Sequence, residues 1–189
     1  EAKQIGENDA GTPHYGPSGV PIWAGMAMDD GRLYIATCDD YSGEGSTTSD
    51  AIIALDKKSG DTIWVRQARF GDVWNGSCED VDPINCPEDS GTDWDYGAGP
   101  VLSTDSQGRR VVLAGDKGGV VAALDANDGS VIWKNKVGRG GVVAGINFGL
   151  AAHDGKVFVP VSDVPDGREY EEPAKPGLYA LDIDTGDYV

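Results

Sequence analysis

Ala54-Leu55-Asp56-Lys57-Lys58-Ser59-Gly60-Asp61-Thr62-Ile63-Trp64 recurs as Ala123-Leu124-Asp125-Ala126-Asn127-Asp128-Gly129-Ser130-Val131-Ile132-Trp133. A third copy reads Ala180-Leu181-Asp182-Ile183-Asp184-Thr185-Gly186-Asp187-Tyr188-Val189, one residue short of the expected Trp. The shared pattern is Ala-Leu-Asp, three residues, Gly, three residues, Trp. It reads as strand, tight turn, strand. The Asp side chain can bond its own backbone in the turn, and the Gly supplies a positive φ. The Trp then packs on the sheet.

The copies begin 69 and 57 residues apart. That spacing holds four strands per unit. The expected strands are 20–28, 32–37, 51–56 and 61–67 in the first unit, and 98–103, 110–115, 119–125 and 130–136 in the second. The third holds 144–152, 156–161, 177–182 and 187–189. Val157, Val159 and Val161 alternate as one face of a strand, whereas Val111-Val112-Leu113 and Val120–Leu124 are continuous apolar runs suited to burial on both faces. Serial four-stranded units predict an all-β fold, a β-propeller of antiparallel blades. The blades fall at roughly 20–67, 98–136 and 144–189. Closed propellers have about 4–8 blades, so residues 1–189 read as a partial propeller, about three blades of an expected eight.

Composition narrows the function. Of 189 residues, 32 are acidic and 15 basic, for a formal net charge of −17. Such a chain repels nucleic acid and anionic membrane surfaces. No run of 18 apolar residues is present, so no transmembrane helix is expected. The polar stretch 1–11 does not read as a signal peptide. Five Trp and seven Tyr argue against disorder.

Loop lengths select one face. Segments 38–50, 68–97 and 162–176 are long, and all three lie on the same side of an up-and-down blade. Elaborated loops on a packed scaffold are where binding and catalysis concentrate. These loops carry Asp39, Asp40, Glu44, Asp50, Glu79, Asp80, Asp82, Glu88, Asp89, Asp93 and Asp95. Several such oxygens could hold a hard cation, while most of the set fits a solvated rim. Trp23, Trp74 and Trp94 lie outside the repeat, where an indole can stack a flat ligand or fill core space. Cys78 and Cys86 enclose seven residues, so a loop disulfide suits an oxidising compartment; Cys38 remains as a buried thiol. Gly138-Arg139-Gly140-Gly141 has the look of a phosphate loop without the following helix, and reads better as a tight connection between blades.

The Ala-Leu-Asp…Gly…Trp repeat resembles the docking motif of pyrroloquinoline-quinone (PQQ) dehydrogenase propellers. The stretches 15–23, Gly71-Asp72-Val73-Trp74-Asn75, Asn85-Cys86-Pro87-Glu88-Asp89 and Val137–Gly141 look closer to the polyvinyl-alcohol dehydrogenase branch. The similarity implies PQQ and Ca²⁺ as cofactors, an alcohol or polyol substrate, a cytochrome c acceptor and a periplasmic or secreted location. Residue by residue, Trp23 matches the Trp under the quinone ring. Asp39, with Asp40 as the local alternative, matches a side-chain oxygen on calcium. Trp94-Asp95-Tyr96 matches the motif whose Asp is the catalytic base, and the resemblance sets Trp94 with Trp23 and Lys117 among the expected cofactor-binding residues. Lys117 matches a cation on the quinone oxygens. Lanthanide-using relatives place a second Asp two residues after the base; here that position is Gly97, which favours calcium. The rival reading is a non-catalytic propeller that serves as a scaffold for envelope proteins. A third is a sugar- or polymer-binding propeller that has lost catalysis.

Overall fold

The computed structural model describes residues 3–16, 18–42, 45–81 and 84–189; Glu44 and Asp82 of the acidic set lie outside the described residues. The described residues are all-β, with antiparallel sheets and among them one short 3-10 turn at Gly76–Glu79. It opens on a hairpin of β1 (Lys3–Glu7) and β2 (Pro13–Gly16). The hairpin was not expected, because its strands are mostly exposed and carry no apolar alternation. Its turn is closed by Asn8, whose Oδ1 accepts from the amides of Ala10 at 3.0 Å and Thr12 at 2.9 Å.

Three sheets follow in chain order. The first contains β3 (Ala27–Met28), β4 (Arg32–Ala36), β5 (Ala51–Asp56) and β6 (Thr62–Gln67). The second contains β7 (Val101–Thr104), β8 (Arg110–Gly115), β9 (Val120–Asp125) and β10 (Val131–Lys136). The third contains β11 (Ala151–His153), β12 (Lys156–Val161) and β13 (Gly177–Asp182), with a bridge from Leu181 to Tyr188 where a fourth strand was expected. Each sheet is an up-and-down meander. The first strands are shorter than the sequence suggested. Before β3 the backbone passes close against the next unit: a Cβ at Gly99 would lie 2.5 Å from the Gly25 carbonyl oxygen. That approach takes the place of ladder pairing there.

The repeat is a latch between sheets. In all three copies the Asp carboxylate accepts two amides of its own turn in Asp56 (from Lys58 at 2.9 Å and Ser59 at 2.8 Å) and Asp182 (from Asp184 at 2.9 Å and Thr185 at 3.1 Å), and one in Asp125 (from Asn127 at 2.8 Å). The Gly amide of each returns to that Asp's carbonyl, at 2.8 to 2.9 Å. The Trp does not pack on its own turn. Trp64 lies on the turn of the second sheet, donating from Nε1 to the Ala126 carbonyl at 3.1 Å, and its ring covers Gly129. Trp133 repeats this one sheet further on, with Nε1 2.8 Å from the Ile183 carbonyl and its ring over Gly186. A second side chain follows each Trp by two residues: Arg66 reaches the Gly129 carbonyl and Asn135 the Gly186 carbonyl.

Two apolar layers lie between the sheets. Tyr34, Ala36, Ile52 and Ala54 meet Val112, Ala114 and Leu124. Val111, Leu113, Val121 and Ala123 meet Val157, Val159, Val161 and Leu181. The second sheet is buried on both faces, as its continuous apolar runs require.

Cys78 and Cys86 form the expected disulfide, and Cys38 is a buried free thiol. The bridge braces a loop on which Asn85 accepts a hydrogen bond from Asn8 and faces His14, so it also supports the hairpin. Replacing both cysteines by serine is expected to cost about 2–3 kcal/mol, the loop-closure value for a short ring. Urea titration of the double variant against the oxidised parent measures it.

Candidate functional site

Three loops on one side of the stack bring the acidic residues together. Past the end of β4, Thr37 and Ala51 exchange hydrogen bonds, and the Asp50 amide donates to the Cys38 carbonyl at 3.1 Å. The neck of loop 38–50 is thereby pinched, so Asp39 and Asp50 stand side by side although eleven positions separate them in sequence. In loop 68–97, Asp72 fixes the chain that leads to the site. Its carboxylate accepts the amides of Thr92 and Asp93 at 3.0 Å and Trp94 at 3.1 Å, and the Thr92 hydroxyl at 3.2 Å.

Asp93 takes a left-handed backbone, at φ 57°, and the chain from there to Tyr96 parts its side chains among three surroundings. Asp93 and Asp95 point together into the site. Tyr96 enters the first inter-sheet core. Trp94 turns the other way, its ring against Gly118 and between the cations of Arg69, 5.3 Å from its centroid, and Lys136, 5.6 Å away.

Lys117 comes from the turn between β8 and β9, its amide bonded to the Asp95 carbonyl at 2.9 Å. Its ammonium lies 2.6 Å from Asp93 Oδ1 and 3.0 Å from Asp95 Oδ1. Burial works against a charged Lys117, but the carboxylates of Asp95 and Asp93 outweigh it and hold its pKa above the ordinary lysine value. Burial pushes Asp39, Asp50 and Asp93 well above the usual carboxylate range; Lys117 opposes the shift at Asp93, and neighbouring carboxylates add to it at Asp39. Burial also raises the Cys38 thiol.

Ligand atoms of Asp39, Asp93 and Asp95 lie within 4.8 Å of one another. Both oxygens of Asp39 are buried and, among the described residues, without a hydrogen-bond partner, and Asp95 Oδ1 meets Lys117 as an ion pair without hydrogen-bond geometry. Buried oxygens lacking donors are what a hard cation requires.

Beside this group, Trp23 presents an indole that is 48% exposed. Its ring tip approaches Gly97, where a Cβ would lie 3.1 Å from it and 2.0 Å from Asn147 Oδ1. A side chain at position 97 would require Asn147 to move. The edge of Trp23 meets Phe148, with centroids 6.4 Å apart. Phe148 is 87% exposed and held at φ 68°, an unfavourable conformation for a bulky residue and a common mark of functional surfaces. Sequence reading missed Phe148, and nothing periodic in the sequence signals it.

The structure thus brings together Trp23, Asp39, Asp95 and Lys117, and adds Asp50, Asp72 and Asp93. Asp40 is in neither group of converging carboxylates; its Oδ1 accepts from the hydroxyls of Ser18 at 2.9 Å and Ser42 at 2.6 Å. The contacts of the Trp94 ring are with Arg69, Lys136 and Gly118. Glu79, Asp80, Glu88 and Asp89 are exposed and form a solvated rim. The glycine-rich turn at 138–141 does hold an anion, but an internal one. Asp163 accepts the amides of Arg139 at 2.6 Å and Gly140 at 3.1 Å.

Asp116 stands next to Lys117 and pairs with Arg69 at 3.3 Å. Burial outweighs that ion pair and raises its pKa to about 6. A raised folded-state pKa means the folded protein holds the proton more tightly than the unfolded chain. The stability this contributes is present in full below the unfolded carboxylate pKa and is lost as pH climbs to about 6. Urea midpoints measured from pH 4 to 7 are therefore expected to fall with pH more steeply for the parent than for Asp116→Asn.

Comparison with known proteins places these features. Residues 71–189 match the family model PQQ_2, described as outer membrane protein assembly factor BamB. The chain is 37% identical over 185 residues to a polyvinylalcohol dehydrogenase of Sphingopyxis sp. (strain 113P3), covering 95% of this chain and 28% of that protein. It is 36% identical over 182 residues to a polyvinylalcohol dehydrogenase of Pseudomonas sp., again over 95% of this chain and 28% of the relative. The chain therefore spans little more than a quarter of these relatives. Among solved structures, the quinohemoprotein alcohol dehydrogenase of Comamonas testosteroni superposes with a TM-score of 0.57 at 20% identity, over 91% of this chain and 21% of that one. That likeness establishes the β-propeller fold.

Proposed function

Because the chain belongs to the PQQ_2 family of repeat propellers, we propose that it is part of a quinoprotein dehydrogenase that oxidises alcohols with PQQ and calcium. The observation that carries this reading is the meeting of Asp39, Asp93, Asp95 and Lys117 beside the half-exposed Trp23. A scaffold propeller has no use for a buried lysine clamped by two carboxylates. The relatives named polyvinylalcohol dehydrogenase favour secondary alcohols and polyols as substrates. A cytochrome c as electron acceptor is part of the same proposal and rests on the resemblance of the sequence alone.

Trp23 supplies a flat apolar floor for the quinone ring, its tip packed beside Gly97 and Asn147. Asp39 and Asp95 offer the oxygens for calcium, with Asp40 bracing the Asp39 loop through Ser18 and Ser42. Trp94 anchors the Asp93–Tyr96 run from behind. A quinone held there would supply the hydride acceptor, and a calcium ion held by these carboxylates would supply Lewis-acid assistance. Asp95 takes the proton from the substrate hydroxyl. Lys117, kept charged by its two carboxylates, holds Asp95 in place and can bond the quinone oxygens.

The reading includes further blades of the same propeller. The rings of Trp64 and Trp133 cover Gly129 and Gly186, but nothing lies within 4 Å of a Cβ placed at Gly60. At the other end Phe158, Pro160 and Leu178 line an open apolar cavity of about 670 Å³. A neighbouring blade fits each place. The disulfide suits a periplasmic or secreted location. No helix among the described residues is long and apolar enough to cross a membrane.

The test is dye-linked alcohol oxidation by the purified full-length protein after addition of PQQ and Ca²⁺. Turnover is expected. No turnover with any alcohol, together with no change in quinone absorbance, would sink the enzyme reading and leave the scaffold.

A further inference from the structure

A second set of carboxylates adjoins the first and is not served by Lys117. Ligand atoms of Asp39, Asp50 and Asp72 lie within 4.8 Å of one another, and all three residues are buried. Asp50 is fully buried, and neither of its oxygens has a hydrogen-bond partner among the described residues; the same holds for Asp39. Asp72 is fixed by the backbone amides of Thr92, Asp93 and Trp94. The nearby cations are engaged elsewhere: Lys117 by Asp93 and Asp95, Arg69 by Asp116 and the Trp94 carbonyl. Desolvated carboxylates without donors are not tolerated unless something neutralises them.

We propose that Asp39, Asp50 and Asp72 cradle a divalent cation of the hard, oxygen-seeking class, in a site distinct from the Asp39–Asp93–Asp95 group and filled whether or not a quinone is bound. The dimensions suit it. Oxygens on opposite sides of a Ca²⁺ ion stand about 4.8 Å apart, twice a Ca–O bond of about 2.4 Å. The point equidistant from three atoms so spaced lies at most about 2.8 Å from each, so one ion reaches all three side chains with shifts of a few tenths of an ångström. Asp39 is common to both groups. The ion ties loop 38–50 to loop 68–97, and through Asp72 it secures the backbone that carries Asp93 and Asp95. Of the two groups, the quinone-free protein fills this one, because Lys117 already offsets part of the negative charge of the other.

The test is Ca²⁺ binding by the full-length, quinone-free, chelator-stripped protein, followed by equilibrium dialysis and native mass spectrometry. One ion per chain is expected. Asp50→Asn should weaken binding about tenfold or more. Asp93→Asn should keep the ion, because Asp93 belongs only to the Lys117 group. No bound ion at millimolar Ca²⁺ would overturn the proposal in favour of a proton shared by Asp39 and Asp50. So would undiminished binding in Asp50→Asn, or equal loss in Asp93→Asn. Should Asp50→Asn fail to fold, the parent and Asp93→Asn decide between them. Absence of alcohol oxidation would count against the dehydrogenase reading and would leave this result untouched.

Discussion

Asp95→Asn in the full-length protein is expected to lower alcohol turnover by about 10²–10⁴-fold, the usual worth of a positioned general base. The substitution keeps the size and shape of the side chain. Asp93 still holds Lys117 at 2.6 Å, so the cation stays in the site. Trp23 is untouched. Quinone binding, followed by absorbance or by quenching of indole fluorescence, should therefore persist while turnover disappears. Loss of both together would point to a collapsed site. Retained turnover would remove Asp95 from the role of proton acceptor.

Trp133→Ala is expected to be the most destabilising single change within the repeat. It deletes an indole that is 8% exposed, its hydrogen bond to the Ile183 carbonyl and its cover over Gly186. Removing a buried Trp costs about 3–5 kcal/mol. For a domain of this size that lowers the melting temperature on the order of 10 °C. The contact can be broken from the other side as well. A Cβ at Gly186 would lie 2.4 Å from Cε3 of Trp133, and the backbone there has φ 76°, so Gly186→Ala combines a clash with strain. Gly60→Ala separates the two effects. Gly60 has nearly the same φ, 80°, with nothing to strike, and in the 189-residue chain it should cost only about 1 kcal/mol. In the full-length protein a large cost at Gly60 would reveal a preceding Trp seated on that turn. Thermal denaturation of the variants in both forms measures all three.

The order of strands was legible because its signals are local. Asp56, Asp125 and Asp182 bond amides two or three residues ahead, and Gly60, Gly129 and Gly186 take a left-handed conformation that few other residues tolerate. Val157, Val159 and Val161 face the second sheet because strand side chains alternate. The hairpin at Lys3–Gly16 escaped notice for the opposite reason: its residues are exposed, so no burial pattern was written into them.

The partner of each repeat Trp was not legible. Nothing in the order of residues says whether Trp64 covers its own turn or the next one, because the contact joins positions more than sixty residues apart. The same limit separates Asp39 from Asp40. Both neighbours are acidic, yet adjacent positions of an extended chain face opposite sides, and only the pinched neck of loop 38–50 decides which carboxylate meets Asp93 and Asp95. By itself, the sequence determined the repeat, its turns, the all-β class and the loops that hold the chemistry, since each follows from interactions within a few residues. The tertiary structure alone decided which carboxylates share a site and which of them Lys117 neutralises. Those choices rest on distances between residues from three separate loops, and burial turns those distances into strong electrostatic differences.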